Sequence, residues 1–184
     1  MLFRSPPGAV GDFLIAVFDR WVRRDVGRTF VQTFDVALNA WLGLGAPLCV
    51  FQETCGRSLA LEHNGDLYAC DHFVYPEHRL GNLHTHSLAD LAHGPAAAGF
   101  GQAKAVLSRT CRACPVRFAC QGDCPKHRFI ATAPGEPGLS YLCPSYLKFF
   151  RHLDPTMRRM AALLRAGRPA SRSEEHPSEL QSLT

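Results

Sequence analysis

Residues 111–124 read CRACPVRFACQGDC, with the spacing Cys111-x2-Cys114-x5-Cys120-x3-Cys124 and Pro125 directly after. The stretch is too short and too cysteine-rich to carry a helical or strand period, so it is expected to be irregular backbone. The remaining cysteines are Cys49, Cys55 and Cys70 upstream and Cys143 downstream, eight in all. Three chemistries use thiols in this way. Disulfides need an oxidising compartment, and eight cysteines allow about 105 connectivities, of which spacing selects none. Zinc would take two all-cysteine sites, with Cys111-x2-Cys114 as a usual knuckle. Iron–sulfur cubes each take four thiolates, and in ferredoxin-type runs the last cysteine before a proline can serve a second cluster. Eight cysteines make two such sets with none left over. The spacing favours clusters over zinc and leaves disulfides behind.

Working upstream, Ser58–Cys70 (SLALEHNGDLYAC) carries Asn64-Gly65, the strongest short hairpin signal, because a type I′ turn needs positive φ at both central residues. A two-residue turn there pairs Leu59 with Cys70 and delivers a cysteine at the end of one hairpin leg. Ser87-x-x-Asp90 has the form of a helix start, and a second helix is expected over Ala96–Leu107. Nearer the start, Phe13, Leu14, Val17, Phe18, Trp21 and Val22 mark one face of a helix, with Asp12 as its N-cap and Gly27 as its stop. Thr29–Phe34 (TFVQTF) reads as a strand and Asp35–Leu44 as another helix, the order expected at the end of an α/β unit. Downstream, 134–138 is a loop and Tyr146–Leu153 a helix. Asp154-Pro155 then makes a cap and first-turn proline for a last helix ending near Gly167.

Composition narrows the class. The chain has 184 residues, 46% hydrophobic and 20% charged, enough for one domain or two small ones and too apolar for a disordered tail. Its net charge of +4 is spread along the chain without the concentrated basic stripe of a nucleic-acid binder. The longest apolar run, Phe13–Phe18, is far below the roughly 18 residues of a membrane span. The start does not combine a basic region with a longer apolar stretch, so no secretion signal is expected. A cytoplasmic protein with neither nucleic-acid nor membrane partners is expected. Residues 171–184 (SRSEEHPSELQSLT) lack periodicity, and Arg172–Ser182 is similar to a translated sequencing-library adapter; they read as a non-native or disordered tail.

Cys55-x9-Gly65-x4-Cys70, the run 111–124 and Cys143 together resemble the seven-cysteine SPASM motif. More narrowly, GDFLIAVFDRWVRRDVG, LCVFQETCG, GDLYACDHFVYPEHRLGN, CPKHR and YLCPSYLKFFRHLDPTMRRM resemble the C-terminal part of anaerobic sulfatase-maturating enzymes, over residues 3–168. These are radical S-adenosylmethionine (SAM) oxidoreductases. The chain departs from the usual C-x-G-G-C-P-K of the family in having Asp123 before Cys124, which is expected to strain a turn or alter a cluster's potential.

The resemblance implies an organisation: 1–48 as the end of a partial (β/α) radical SAM barrel, 49–150 as a small α+β SPASM module and 151–170 as a C-terminal helix. It implies that Cys49, Cys55, Cys70 and Cys124 hold one auxiliary 4Fe-4S cluster, and that Cys111, Cys114, Cys120 and Cys143 hold a second. Arg57, Arg112, Arg117, Lys126 and Arg128 would supply counter-charge. The implied reaction oxidises a cysteine or serine of an unfolded or nascent sulfatase to Cα-formylglycine, with the auxiliary clusters accepting or relaying electrons. Asp71 matches the general base, and His72 reads as a hydrogen-bond donor to sulfur. Glu53 and Asn82 have no assigned role. An electron donor such as flavodoxin or ferredoxin is a further implied partner. The C-x3-C-x2-C loop of the SAM cluster is absent, so a third 4Fe-4S cluster and SAM would belong to a segment before Met1. The chain is expected to be an inactive fragment, with Phe13, Phe18, Trp21 and Trp41 left exposed where barrel strands had covered them. Other readings are a different SPASM-bearing peptide maturase, or a non-catalytic zinc or ferredoxin-like module.

Overall fold

Helix α1 (Ala9–Arg24) starts earlier than its apolar face suggests, with Gly8 at the cap and Asp12 inside the first turn. The computed structural model describes residues 6–174, and the chain forms two units: 47–141, and a helical unit built from the segments on either side of it.

In the helical unit, α1 is followed by α2 (Gln32–Leu42), and a long C-terminal helix runs over Cys143–Arg165. The strand expected over Thr29–Phe34 is absent. A lone strand would leave its backbone groups unpaired, whereas here Asp35 Oδ2 accepts the Val31 N–H at 3.0 Å and opens a helix. The expected break at Asp154-Pro155 is also absent, and Pro155 lies inside one continuous helix. Phe149, Phe150 and Leu153 before the proline and Met157 and Met160 after it are all buried. Burying each such side chain contributes roughly 1.5–3 kcal/mol, which together outweighs the ~3 kcal/mol that an interior proline costs. Asp154 is therefore no cap; its Oδ1 accepts Trp41 Nε1 at 2.9 Å.

This long helix covers the apolar faces of α1 and α2. Phe18 packs edge-on to Phe34 at 5.3 Å, and Phe34 stands 6.0 Å from Phe149. Phe18, Trp21 and Trp41 are buried, and of the four side chains expected at an exposed patch only Phe13 remains open, at 67%. Backbones approach closely where Gly11 donates to Ser145 Oγ at 2.9 Å. The tail expected from residue 171 instead opens in a short 3-10 turn over Ala170–Glu174, with Ser173 buried. The rest of the tail, 175–184, lies outside the described residues.

The second unit opens with a 3-10 turn over Cys49–Phe51 and an antiparallel sheet in the order β1 (Ala60–Leu61), β2 (Asp66–Tyr68), β3 (Arg79–Asn82). The hairpin sits where Asn64-Gly65 placed it, but its register differs by one. Ala60 pairs with Tyr68 and Leu61 with Leu67, because Gly65 (φ +86°) is the left-handed residue of a three-residue loop closed by Gly65 N–H to Glu62 O at 2.9 Å. Helices α3 (Leu88–His93) and α4 (Pro95–Ala103) follow, the first capped by Ser87 Oγ accepting from Asp90 N–H at 3.1 Å. The expected second helix thus ends four residues before Leu107. The cysteine-rich run is less irregular than expected: α5 (Arg109–Arg112) and α6 (Arg117–Cys120) are single helical turns.

Candidate metal centre

Four cysteines of the second unit are presented by turns with defined local structure. Cys49 begins the 3-10 turn Cys49–Phe51, anchored by buried Phe51. Cys55 donates its N–H to Gly101 O at 3.2 Å, and a Cβ on Gly101 would stand 2.3 Å from Cys55 O, so glycine is what lets α4 reach this loop. Cys70 leaves β2 extended and caps the 3-10 turn Asp71–Phe73. Cys124 follows three consecutive left-handed residues, Gln121 (φ +46°), Gly122 (φ +73°) and Asp123 (φ +62°), and starts the 3-10 turn Pro125–His127.

The thiols of these four are electrostatic neighbours. Burial first, and then the nearness of Cys124 and Cys49, pushes the Cys55 thiol up. Burial also raises Cys124, with Asp123 and Cys49 adding to it. Cys70 is pushed up to about 11, again by burial first, with the Asp71 carboxylate and Cys124 contributing. Cys124 is thus a neighbour of Cys49, Cys55 and Cys70. All eight cysteines are free thiols. Cys111, Cys114 and Cys120 lie on or beside α5 and α6, while Cys143 begins the long helix of the other unit.

The side chains around this centre divide into distinct roles. Asp71 is exposed, makes no ion pair among the described residues, and accepts from Cys70 Sγ at 3.3 Å and from His72 N–H at 3.0 Å. The Cys70 hydrogen bond holds its carboxyl below the usual carboxylate range. His72 Nδ1 is 3.8 Å from Cys124 Sγ, the place of a donor to sulfur. Arg128 is half-buried and bonds the carbonyls of Gly122, Gln121, Asp123 and Lys104 at 2.7–3.1 Å, so it fastens the left-handed turn. Burial lowers its pKa, against the opposing pull of Cys111, Asp123, Cys120 and Cys124, which places its charge among thiols of both sets. Lys126 instead lies over the Phe73 and Tyr75 rings at 5.0 and 4.3 Å. Arg112 Nη1 donates to Leu107 O at 2.9 Å, and Arg57 lines a cleft of about 580 Å³ beside Cys55. Asn82 ties the hairpin, donating to Asp66 Oδ1 at 2.9 Å.

Lys104 has no counterpart in the sequence reading, and neither do the side-chain partners of Asp123. Lys104, one residue past α4, is 1% exposed and directs its ammonium at the carbonyls of Cys49, Val50 and Gln52. It is the one charged residue in the apolar stretch Ala96–Leu107, and that isolation is the signal that could have found it. Asp123 is 0% exposed; its Oδ2 accepts Ser140 Oγ at 2.7 Å and faces His127 Nδ1 at 2.8 Å, while Oδ1 is buried without a hydrogen-bond partner among the described residues.

A donor set of four thiols, one buried cation and no disulfide fits a thiolate-ligated metal cluster. Residues 49–115 match the SPASM iron-sulfur cluster-binding domain. The chain is 44% identical over 156 residues to a serine-type anaerobic sulfatase-maturating enzyme of Bacteroides thetaiotaomicron, covering 84% of this chain and 38% of that protein.

The chain is homologous to the anaerobic sulfatase-maturating enzymes.

A cysteine-type maturase of Clostridium perfringens is 26% identical over 151 residues, 81% of this chain and 40% of that protein. Among solved structures, native anSMEcpe with bound AdoMet and Kp18Cys peptide superposes with a TM-score of 0.76 at 25% identity, over 88% of this chain and 45% of that one. The chain therefore spans less than half the length of these relatives. No helix among the described residues is long and apolar enough to cross a membrane.

Proposed function

We propose that this chain is the cluster-bearing C-terminal part of a radical SAM enzyme that oxidises an active-site serine or cysteine of a sulfatase to Cα-formylglycine. The observation that carries the reading is the 44% identity to a serine-type maturase across a segment containing all eight cysteines. The lower identity to the cysteine-type relative, 26%, favours serine as the substrate residue. In this reading residues 1–48 are the end of the partial barrel. Cys49, Cys55, Cys70 and Cys124 hold one auxiliary 4Fe-4S cluster. Cys111, Cys114, Cys120 and Cys143 hold the other, where the membership of Cys143 rests on the resemblance alone. When bound, such clusters accept or relay the electron released by substrate oxidation. An unfolded sulfatase segment is the polypeptide partner, and a flavodoxin or ferredoxin the electron donor.

The chain's own residues supply the proton chemistry. Asp71 is exposed, free of ion pairs among the described residues, and tied through the backbone to ligand Cys70. A carboxylate in that position can take the proton lost as the substrate is oxidised. What lowers its basicity first is the Cys70 thiol hydrogen, and that hydrogen is gone once Cys70 is a thiolate ligand. His72 donates toward Cys124 sulfur and steadies a ligand rather than reacting.

The test is Asp71→Asn in the complete enzyme, assayed with sulfatase peptides carrying serine or cysteine at the modified position. Both auxiliary clusters and SAM cleavage are expected to survive while formylglycine formation stops. A normal product yield would sink the base assignment, and lost cluster iron would assign Asp71 a structural role. A preparation that holds two zinc ions and no sulfide would overturn the cluster reading itself.

A further inference from the structure

Lys104 presents a problem in electrostatics. An ammonium removed from water costs several kcal/mol unless it is compensated, and at 1% exposure this one is fully withdrawn. No carboxylate pairs with it among the described residues. Its three hydrogens meet three carbonyls, those of Cys49, Val50 and Gln52, at the end of the 3-10 turn Cys49–Phe51. Carbonyl dipoles alone compensate a full charge only in part. The groups facing it that can become anionic are Cys55, Cys49 and Cys124; the other charged neighbour is Arg128, of like sign.

With neutral thiols the arrangement is therefore unbalanced. The charges balance only when the thiols are held ionised, as metal ligands are. The placement is also built. Gly101 seats α4 against the Cys55 backbone, and Lys104 follows three residues later at the cap of the same helix, reaching the Cys49 turn.

We propose that Lys104 is the resident cation of the Cys49, Cys55 and Cys124 centre, a positioning residue that grips the turn carrying Cys49 and raises the reduction potential of the cluster those thiolates bind. This deepens the reading of that centre as an iron–sulfur site and rests on it. A cube held by four thiolates carries roughly two negative charges when oxidised and three when reduced. A fixed cation in a low-dielectric setting favours the more negative state, which makes this cluster the better electron acceptor. The hydrogen bonds of the Lys104 ammonium go to the turn that carries Cys49, whereas Cys111 and Cys120 neighbour Arg128. One cluster should therefore respond to its removal and the other should not.

The experiment uses the full chain, reconstituted anaerobically with ferrous iron and sulfide and titrated potentiometrically with EPR detection, as parent, Lys104→Met and Lys104→Arg. In Lys104→Met the reduction equilibrium of one cluster is expected to fall by tenfold or more, a shift of about 59 mV to lower potential for a one-electron couple. The second cluster keeps its potential, and Lys104→Arg restores the first. Loading of both clusters in Lys104→Met with unchanged potentials overturns the proposal. If Lys104→Met fails to load one cluster, loading in Lys104→Arg supports it, because charge is what the arginine restores. Equal failure in both variants overturns it, because the site then needs lysine's shape and not its charge. A parent that takes up zinc and forms no cluster defeats the underlying reading instead, and is distinguished from these outcomes by metal and sulfide analysis before any titration.

Discussion

Gly101 and Gly99 stand two residues apart on α4, and only one of them is structurally required. A Cβ on Gly101 would sit 2.3 Å from Cys55 O, a contact between two backbones that no rotamer change relieves. A Cβ on Gly99 would meet nothing within 4 Å. Gly101→Ala is expected to destabilise by about 1–3 kcal/mol, as overpacking does, and to lose iron from the centre that includes Cys55. Gly99→Ala is expected to stabilise by up to ~1 kcal/mol through helix propensity alone. Chemical denaturation of the two variants measures both, and equal effects would remove the argument for close approach. At this scale the cysteines were legible because their chemistry is written in spacing. Lys104 was not, because a lone lysine ordinarily ends in water and only the packing of α4 withdraws it. Asp123 was legible in part. Its departure from glycine suggested a strained turn, and the left-handed φ of +62° agrees, but its pairing with Ser140 and His127 is a tertiary fact.

Among the elements, the short strands of the hairpin are tied together by one carboxylate. Asp66 accepts Asn64 Nδ2 at 3.0 Å and Asn82 Nδ2 at 2.9 Å and pairs with Arg79, so the turn, β2 and β3 meet on it. The Arg79 hydrogen bond, first among several, holds its carboxyl down at about 2. A carboxyl lowered in the folded state stabilises it above the unfolded pKa of roughly 4 and loses that contribution as pH falls through the folded value. Protection of the Leu83 amide, which bonds Gly65 O at 2.9 Å, is expected to be flat down to about pH 4 and to decline from there toward pH 2. In Asp66→Asn that decline should vanish. A decline of equal size in the variant would show that some other carboxylate governs it. Turn residues marked the hairpin correctly, yet a single left-handed glycine chose a three-residue loop over two and moved the register by one. The elements misread elsewhere share a cause. Thr29–Phe34 and Asp154-Pro155 carry strong local signals for strand and for helix break, and both were overridden by the apolar face of the long C-terminal helix, which no local window contains.

At the scale of the molecule, the polypeptide leaves the helical unit after residue 46 and returns to it at 142, so 47–141 is an insertion, whereas the sequence reading placed the module at 49–150. Inside that insertion the central question is which cluster Cys124 serves, since its position in the chain groups it with Cys111, Cys114 and Cys120. Its surroundings reach both sets: it is raised by Cys49, it raises Cys55 and Cys70 and it approaches His72 beside Cys70, while it shares Arg128 with Cys111 and Cys120. Two ligands of one cluster behave as a unit when removed, whereas ligands of two clusters act independently. Cys49→Ser and Cys124→Ser are each expected to lose about half of the iron that reconstitution loads into the parent, and to leave the same residual EPR spectrum, because each spares the same second cluster. Cys111→Ser should lose a similar amount and leave a different spectrum. The double variants decide the assignment. Cys49→Ser with Cys124→Ser should lose no more iron than either alone, while Cys49→Ser with Cys111→Ser should lose nearly all of it. If Cys124→Ser instead matches Cys111→Ser in spectrum, and adds to Cys49→Ser in iron lost, the cysteine run serves one cluster and the crossing from the second run to the first is wrong.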